Sequence, residues 1–329
     1  MRKYTGFILA AVLFLLACLC AAAGIYKVNQ KINLLSGAVE TLERQSEMAA
    51  SWNVRQDLIP DLDPYRESAW KVTQFGDITE SQEMCYTVTT ENGLVIIDGG
   101  CPYEAARLKK IIAQYGNRVE AWILTHPHSD HITAFMDIYD EMKDTISIHH
   151  IYLPEHPDAE IMKAKASWDS YDCYERFLSM DIPNLEYVHT GDVLDVMGLK
   201  MEVLSAYDNV VFEASDDLMN DGSLVFRLCG KETSMLFLAD MGKSMTSFLS
   251  GTYGTKLASD YVQMGHHGFG GPDAEVYRLI APKGAFFDAP GWLMQSDTER
   301  SARPKVQLMQ ELGCQIYSYY TTPNQIILS

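Results

Sequence analysis

From Gly6 to Ile25 the chain is uncharged and mostly apolar, a run of about 20 residues, the length a helix needs to cross the hydrocarbon core of a bilayer. This pattern predicts a transmembrane signal anchor over residues 1–26; a signal peptide cleaved to release a secreted protein, which has a shorter apolar core, is the alternative. "LLAC", ending at Cys18, has the outline of a lipoprotein cleavage site, but Leu19 to Ile25 stay apolar instead of turning polar. The basic start, Arg2 and Lys3, predicts an N-terminus inside and a globular part outside the cytoplasm, in a single-pass arrangement at the cell membrane. From Ile25 the apolar positions run Ile25, Val28, Ile32, Leu35, Val39 and Leu42, with alternating spacings of three and four. That seam predicts a helical stalk within residues 27–67 and a homodimer through residues 25–49, a single amphipathic helix being the alternative. "DLIPDLDPY", residues 57–65, has two prolines and ends the helix. Beyond Ser68 the pattern changes to short apolar runs separated by longer amphipathic ones. Strands are predicted at 71–75, 85–89, 94–97, 121–124, 146–152, 200–204, 223–228 and 235–238, and helices at 103–115, 131–143, 159–179 and 274–279. Strand runs followed by strand–helix alternation, twice, predict two sheets packed between helices in one α/β domain, residues 68–329.

Composition narrows what this domain can bind. Lys and Arg number 26 against 44 Asp and Glu, a formal charge of -18, which argues against tight binding of long nucleic acid. An anionic substrate has to be held locally, by metal or by a small basic patch. The seven cysteines form no CxxC pair, which argues against a zinc ribbon or a thioredoxin-type site and makes them mainly small buried residues, with one disulfide left open.

The chemistry concentrates in "AWILTHPHSDHIT", residues 121–133. Three histidines and an aspartate fall within six positions at the end of a strand. In extended geometry His126 and His128 point to the same side, so both imidazoles reach one ion. Asp130 and His131 stand in the first turn of the following helix, where they face a second ion. A second cluster is Gly265-His266-His267-Gly268, so five of the nine histidines lie in two short turns. A third element is "MLFLADMG", an apolar strand ending in Asp240, a carboxylate placed to bridge two cations.

This order of motifs, with a preceding strand that ends in Asp98-Gly99-Gly100, resembles the metallo-β-lactamase superfamily. Within it the chain is similar to the extracellular hydrolase domain of ComEC-type competence proteins, on "VHTGDVLDVMGLKMEVLS", "NDGSLVFRL", "LFLADMG" and "GHHG" in that order. The resemblance covers roughly residues 70–329 and implies a four-layer αββα sandwich with a two-metal site at one edge. It implies that His126 and His128 bind the first ion, that Asp130, His131 and one of His266 or His267 bind the second, with a slight preference for His266, and that Asp240 bridges both. Asp98 is then an outer residue orienting a ligand by hydrogen bonds. No histidine lies between His189 and His266, whereas lactamase and lactonase branches carry one there; the resemblance implies instead an Asn-containing turn, Asn220 to Ser223. Asn220, Asp221 or Ser223 is expected to meet the substrate or leaving group, with Asp130 also catalytic. His and carboxylate ligands suit two zinc ions, or manganese. The expected reaction is hydrolysis by metal-activated water, on a phosphodiester of nucleic acid or of an envelope polymer. Cleavage of a carboxyl ester or lactone, and a non-catalytic metal-binding surface module, are the rivals. The glycine-rich "GFGGPD", 268–273, is a candidate wall of the site.

Overall fold

The computed structural model describes residues 69–76, 79–319 and 323–329. Six strands build a first sheet: β1 (Trp70–Gln74), β2 (Cys85–Thr89), β3 (Leu94–Asp98), β4 (Arg118–Ile123), β5 (Ser147–Pro154) and β6 (Leu185–Val188). Seven build a second: β7 (Val193–Val196), β8 (Leu199–Ser205), β9 (Val225–Cys229), β10 (Ser234–Phe237), β11 (Tyr261–Gln263), β12 (Gly284–Phe286) and β13 (Gln315–Tyr317). The last strand, β14 (Asn324–Leu328), returns to pair antiparallel with β1, so both sheets are seven-stranded. The first three strands and β7 to β10 pair antiparallel, whereas β3 to β6 and β10 to β13 run parallel.

The alternation of side chains along each strand explains the layers. Val95 and Ile97 of β3 and Ala121 and Ile123 of β4 join Val203, Phe226, Phe237 and Phe286 of the second sheet in one buried core. Trp122 points the other way and meets Phe135 of the Ser129–Met142 helix edge to face, with ring centroids 4.9 Å apart. The expected sandwich of two sheets is thus present, with helices on the outside.

Three expectations need correction. No helix among the described residues is long and apolar enough to cross a membrane. The longest, Ser129–Met142, has 14 residues and spans about 21 Å of the roughly 30 Å required. The transmembrane helix in the expected architecture and the single-pass membrane location therefore lose their structural support, and the anchor (1–26), stalk and linker (27–67) and dimer seam (25–49) lie outside the described residues. The helix expected over 159–179 is two short ones, Ala159–Lys165 and Asp172–Leu178, because the polar Ser167-Trp168-Asp169-Ser170 segment interrupts the apolar stripe. Short elements also went unpredicted: β11, β12 and β13 have three residues each, too few to show a period.

One buried ion pair ties the second sheet to the chain outside it. Arg227 Nε donates to Glu202 Oε2 at 2.8 Å, and its Nη1 donates to the carbonyls of Lys256 (2.7 Å) and Ala258 (3.0 Å). Burial acts to raise the Glu202 carboxyl, but Arg227 and Lys200 outweigh it and hold it below the usual carboxylate range. A depressed folded-state pKa stabilises above the unfolded value, about 4.3, and that stability is lost as pH falls through the folded value. Glu202→Gln, which leaves Arg227 buried without its partner, is expected to lower stability by about 3 kcal/mol at pH 7. In urea unfolding, the difference from wild type should be constant above about pH 5 and shrink in more acidic buffer; a pH-independent difference would contradict this.

Candidate metal centre

The site assembles at the carboxyl ends of strands, where open α/β sheets place their crevices. The segment 124–128 leaves β4 and enters the Ser129–Met142 helix; β3 ends in Asp98, β10 leads to Asp240, and β11 leads to His266 and His267.

Asp98 is the fully buried anchor of the His-rich turn. Its Oδ1 accepts the Thr125 backbone N–H at 2.7 Å, its Oδ2 accepts the Thr125 hydroxyl at 2.7 Å, and Oδ2 also lies 2.7 Å from His131 Nδ1. A carboxylate only accepts, so it keeps the His131 proton on Nδ1 and leaves Nε2 for the site. The Asp98-Gly99-Gly100 turn then clasps the helix: the Gly100 N–H donates to the His131 carbonyl at 2.9 Å and the Gly100 carbonyl accepts the Ala134 N–H at 3.2 Å. Gly100 has φ +78 and a Cβ there would fall 2.4 Å from Glu83 Oε2, so glycine is required.

His126 Nε2 lies 3.0 Å from His128 Nδ1; the two nitrogens face one point, as the alternation of an extended segment predicts. The other His128 nitrogen, Nε2, is 3.0 Å from Asp169 Oδ2. Sequence reasoning missed Asp169, which sits in the interruption of the expected 159–179 helix. Asp240 is central and buried. Its Oδ1 is 3.3 Å from His131 Nε2, and its Oδ2 is 3.2 Å from His267 Nε2, 3.7 Å from His266 Nε2 and 3.9 Å from His126 Nε2. His267 Nε2 also approaches Asp130 Oδ2 at 3.3 Å, while His267 Nδ1 lies 2.9 Å from the Asp288 carbonyl oxygen, which accepts its proton. Gln82 Nε2 donates to Asp130 Oδ2 at 2.9 Å. Two groups result whose ligand atoms lie within 4.8 Å of one another: His126, His131 and Asp240, and Asp130, His131 and His267.

The slight preference for His266 is reversed by this geometry. The His267 side chain is 0% exposed and points at both carboxylates, whereas His266 is 23% exposed and its ring packs on Phe269 with centroids 4.4 Å apart. Left-handed backbone makes the difference: His266 has φ 47 and His267 φ 54, and Ala239 beside Asp240 has φ 46. Such strain in non-glycine residues persists only where the surroundings enforce it. Here the Gln263 side chain does so, its Oε1 accepting the Leu238 and Ala239 N–H groups at 3.0 and 2.7 Å, while the His266 N–H donates to the Ala239 carbonyl at 2.8 Å.

The Asn-containing turn divides. Asn220 lines the cleft in front of the cluster and its Nδ2 donates to Asp217 Oδ2 at 2.9 Å. Asp221 faces away: its Oδ1 accepts the Gly242 N–H at 2.6 Å and its Oδ2 accepts the Ser215 hydroxyl. The expected catalytic contact of Asp221 is therefore corrected to a brace under the Asp240 turn, where a Cβ on Gly242 would lie 2.9 Å from Asp221 Oδ1. Ser223 is fully buried and does not line the cleft. His189 is exposed beside Asp192. Phe269 of the glycine-rich loop forms part of the cleft wall.

The cluster is electrostatically prepared for cations. Burial lowers His126 and His266. It acts the same way on His131 and His267, but Asp240 and its neighbours reverse the effect, raising His131 well above the ordinary value and His267 to about 10. Burial works against ionised Asp240, yet His267, His131 and His266 hold its carboxyl well below the usual range. His131 Nε2, Asp240 Oδ1 and His267 Nε2 are nevertheless buried without a hydrogen bond. Buried polar atoms are rarely left this way. Converging nitrogen and oxygen donors around them fit divalent cations and explain the deficit. The cluster opens into a cleft of about 850 Å³ whose walls include Trp168, Asp172, Asp217 and Arg300.

Residues 78–217 match the family model described as "Metallo-beta-lactamase superfamily". No curated protein sequence matches the chain. Among solved structures, the metallo-beta-lactamase fold protein YhfI from Bacillus subtilis is 12% identical, with 79% of this chain and 99% of that one covered and a TM-score of 0.49. A mutant of the CmlA beta-hydroxylase is 12% identical over 78% of this chain and 53% of its own, about half its length, with a TM-score of 0.50. A diphosphatase of the PhnP family is 12% identical over 79% of this chain and 97% of its own, with a TM-score of 0.44. At such identities structural likeness speaks to the fold alone. Residues 78–217 thus resemble the metallo-beta-lactamase superfamily, whose members bind divalent metals, often two, and the two-sheet sandwich carries the likeness at the level of the fold.

Proposed function

We propose that this protein is a metal-dependent hydrolase acting on a small phosphodiester. The observation that carries the proposal is the convergence of His131 Nε2, Asp240 Oδ1 and His267 Nε2, buried and without hydrogen bonds, beside His126 and Asp130. His126 Nε2 and His128 Nδ1 would hold one ion and Asp130, His131 and His267 the other, with Asp240 between them. The donor set is nitrogen and oxygen only, which suits zinc, with manganese the second choice. When bound, two divalent ions supply acidified water as nucleophile and polarise the attacked centre.

The chain's own residues set the rest. Asp98, Asp169 and the Asp288 carbonyl each face the outward nitrogen of a histidine, so His131, His128 and His267 turn their other nitrogens inward. Asp130 stands between the cluster and the cleft, and the hydrogen bond from Gln82 orients its carboxylate toward the ion it would hold. The missing histidine between His189 and His266 and the ComEC-type "NDGSLVF" turn favour a phosphodiester over a β-lactam or lactone. The charge of -18 favours a small ester over a long polyanion.

Metal analysis after dialysis is expected to find about two ions per wild-type chain, about two in His266→Ala and no more than about one in His267→Ala; equal loss in both variants would contradict the assignment. Asp98→Asn keeps a residue tolerant of the left-handed backbone but removes the acceptor for His131, and competition with a chelator should show metal affinity about 10–100-fold weaker. Wild type should cleave bis-p-nitrophenyl phosphate and Asp240→Ala should not. Turnover confined to a lactone or β-lactam would overturn the substrate class, and metal binding without turnover of any of these would favour the non-catalytic module.

A further inference from the structure

Among the described residues six carboxylates line the cleft, those of Asp130, Asp169, Asp172, Asp217, Asp240 and Glu299, against one guanidinium, Arg300. Two divalent ions would leave this lining one negative charge in excess. Arg300 is committed to the side near Asp130: its guanidinium lies 4.6 Å from the Phe269 ring centroid and donates to Gln82 Oε1, and Gln82 in turn donates to Asp130. Among the described residues no lysine lines the cleft. A substrate that brings only negative charge is therefore poorly matched to the walls away from the metal centre.

Asn220 shows what these walls present. Its Nδ2 donates to Asp217 Oδ2 at 2.9 Å, and its backbone N–H donates to Asp217 Oδ1 at 3.3 Å. Because a carboxylate only accepts, the amide orientation is fixed, with one N–H of the NH₂ engaged by Asp217 and Oδ1 left as an acceptor. Asn220 is 4% exposed, lines the cleft, and its Oδ1 is buried with no hydrogen-bond partner. A lone acceptor beside carboxylates calls for a ligand that donates and carries positive charge. The same cleft holds the Trp168 indole, 68% exposed, an aromatic face of the kind that attracts an ammonium.

We propose that Trp168, Asp172, Asp217 and Asn220 form a subsite for a primary ammonium group, so that the substrate is a phosphodiester of an amino alcohol. The assignment rests on the hydrolase reading for the ester and on the cleft alone for the ammonium. The test is calorimetric titration of the metal-loaded full-length chain with 2-aminoethylphosphonate and with propylphosphonate, which puts a methyl group in place of the ammonium. The amino compound should bind at least about tenfold more tightly, and the ratio should fall to about one in Asp172→Asn and in Trp168→Ala, both exposed positions where folding is not at risk. Equal wild-type affinities, binding of neither compound, or a ratio that survives both substitutions would overturn the subsite. Ethanolamine should bind more weakly than 2-aminoethylphosphonate; equal binding would assign the wall to a free amine and overturn the substrate assignment. Asn220→Ala should lose the preference and keep about two ions, whereas loss of an ion would give its oxygen to the metal and overturn its role here. A preference without cleavage of bis-p-nitrophenyl phosphate removes the hydrolase reading and leaves the subsite; cleavage without a preference does the reverse.

Discussion

The site depends on one fully buried carboxylate. Asp98 accepts two hydrogen bonds from Thr125 and faces His131 Nδ1, so a single side chain fixes both the start of the His-rich turn and a ring in the first turn of the helix that follows. Without it the Thr125 N–H would be buried unpaired, a loss of about 1–3 kcal/mol, and the Thr125 hydroxyl would keep only His126 Nδ1 at 3.2 Å and His131 Nδ1 at 3.4 Å. His131 would also lose the constraint that keeps Nε2 inward. The same device recurs with different acceptors. Asp169 faces His128 Nε2 and the Asp288 carbonyl faces His267 Nδ1. Each ring is held from outside so that its free nitrogen meets the others within.

That arrangement concentrates unsatisfied donors around Asp240, and the backbone is bent to achieve it. Asp98, Ala239, His266 and His267 all adopt left-handed conformations, which side chains other than glycine take up only under constraint. At Ala239, His266 and His267 the constraint comes from a buried amide, Gln263, and from β10 and β11 pairing in parallel so that their ends emerge side by side. Fold and site are thus coupled: the sandwich supplies adjacent strand ends, and the polar groups beneath them set the angles.

Much of this was legible in the sequence because the relevant periods are short. A strand end followed by His-x-His-x-Asp-His dictates which rings share a side, and Asp98-Gly99-Gly100 announces a turn that only glycine can close. The choice between His266 and His267 was not legible, since it turns on positive φ values that no local pattern encodes. Asn220 and Asp221 are neighbours in sequence, yet in a short helix they point about 100° apart, one into the cleft and one under the Asp240 turn. Asp169 was hidden because 159–179 reads as a single amphipathic run. The apolar segment at residues 6–25 suggested a membrane helix, but the described residues contain no helix able to cross a bilayer.

The most direct test is anomalous diffraction from crystals of the protein grown with zinc or manganese. Two adjacent peaks are expected, one against His126 and His128 and one against Asp130, His131 and His267, with Asp240 between them. A single peak, or one held by His266 in place of His267, would contradict the two-metal centre.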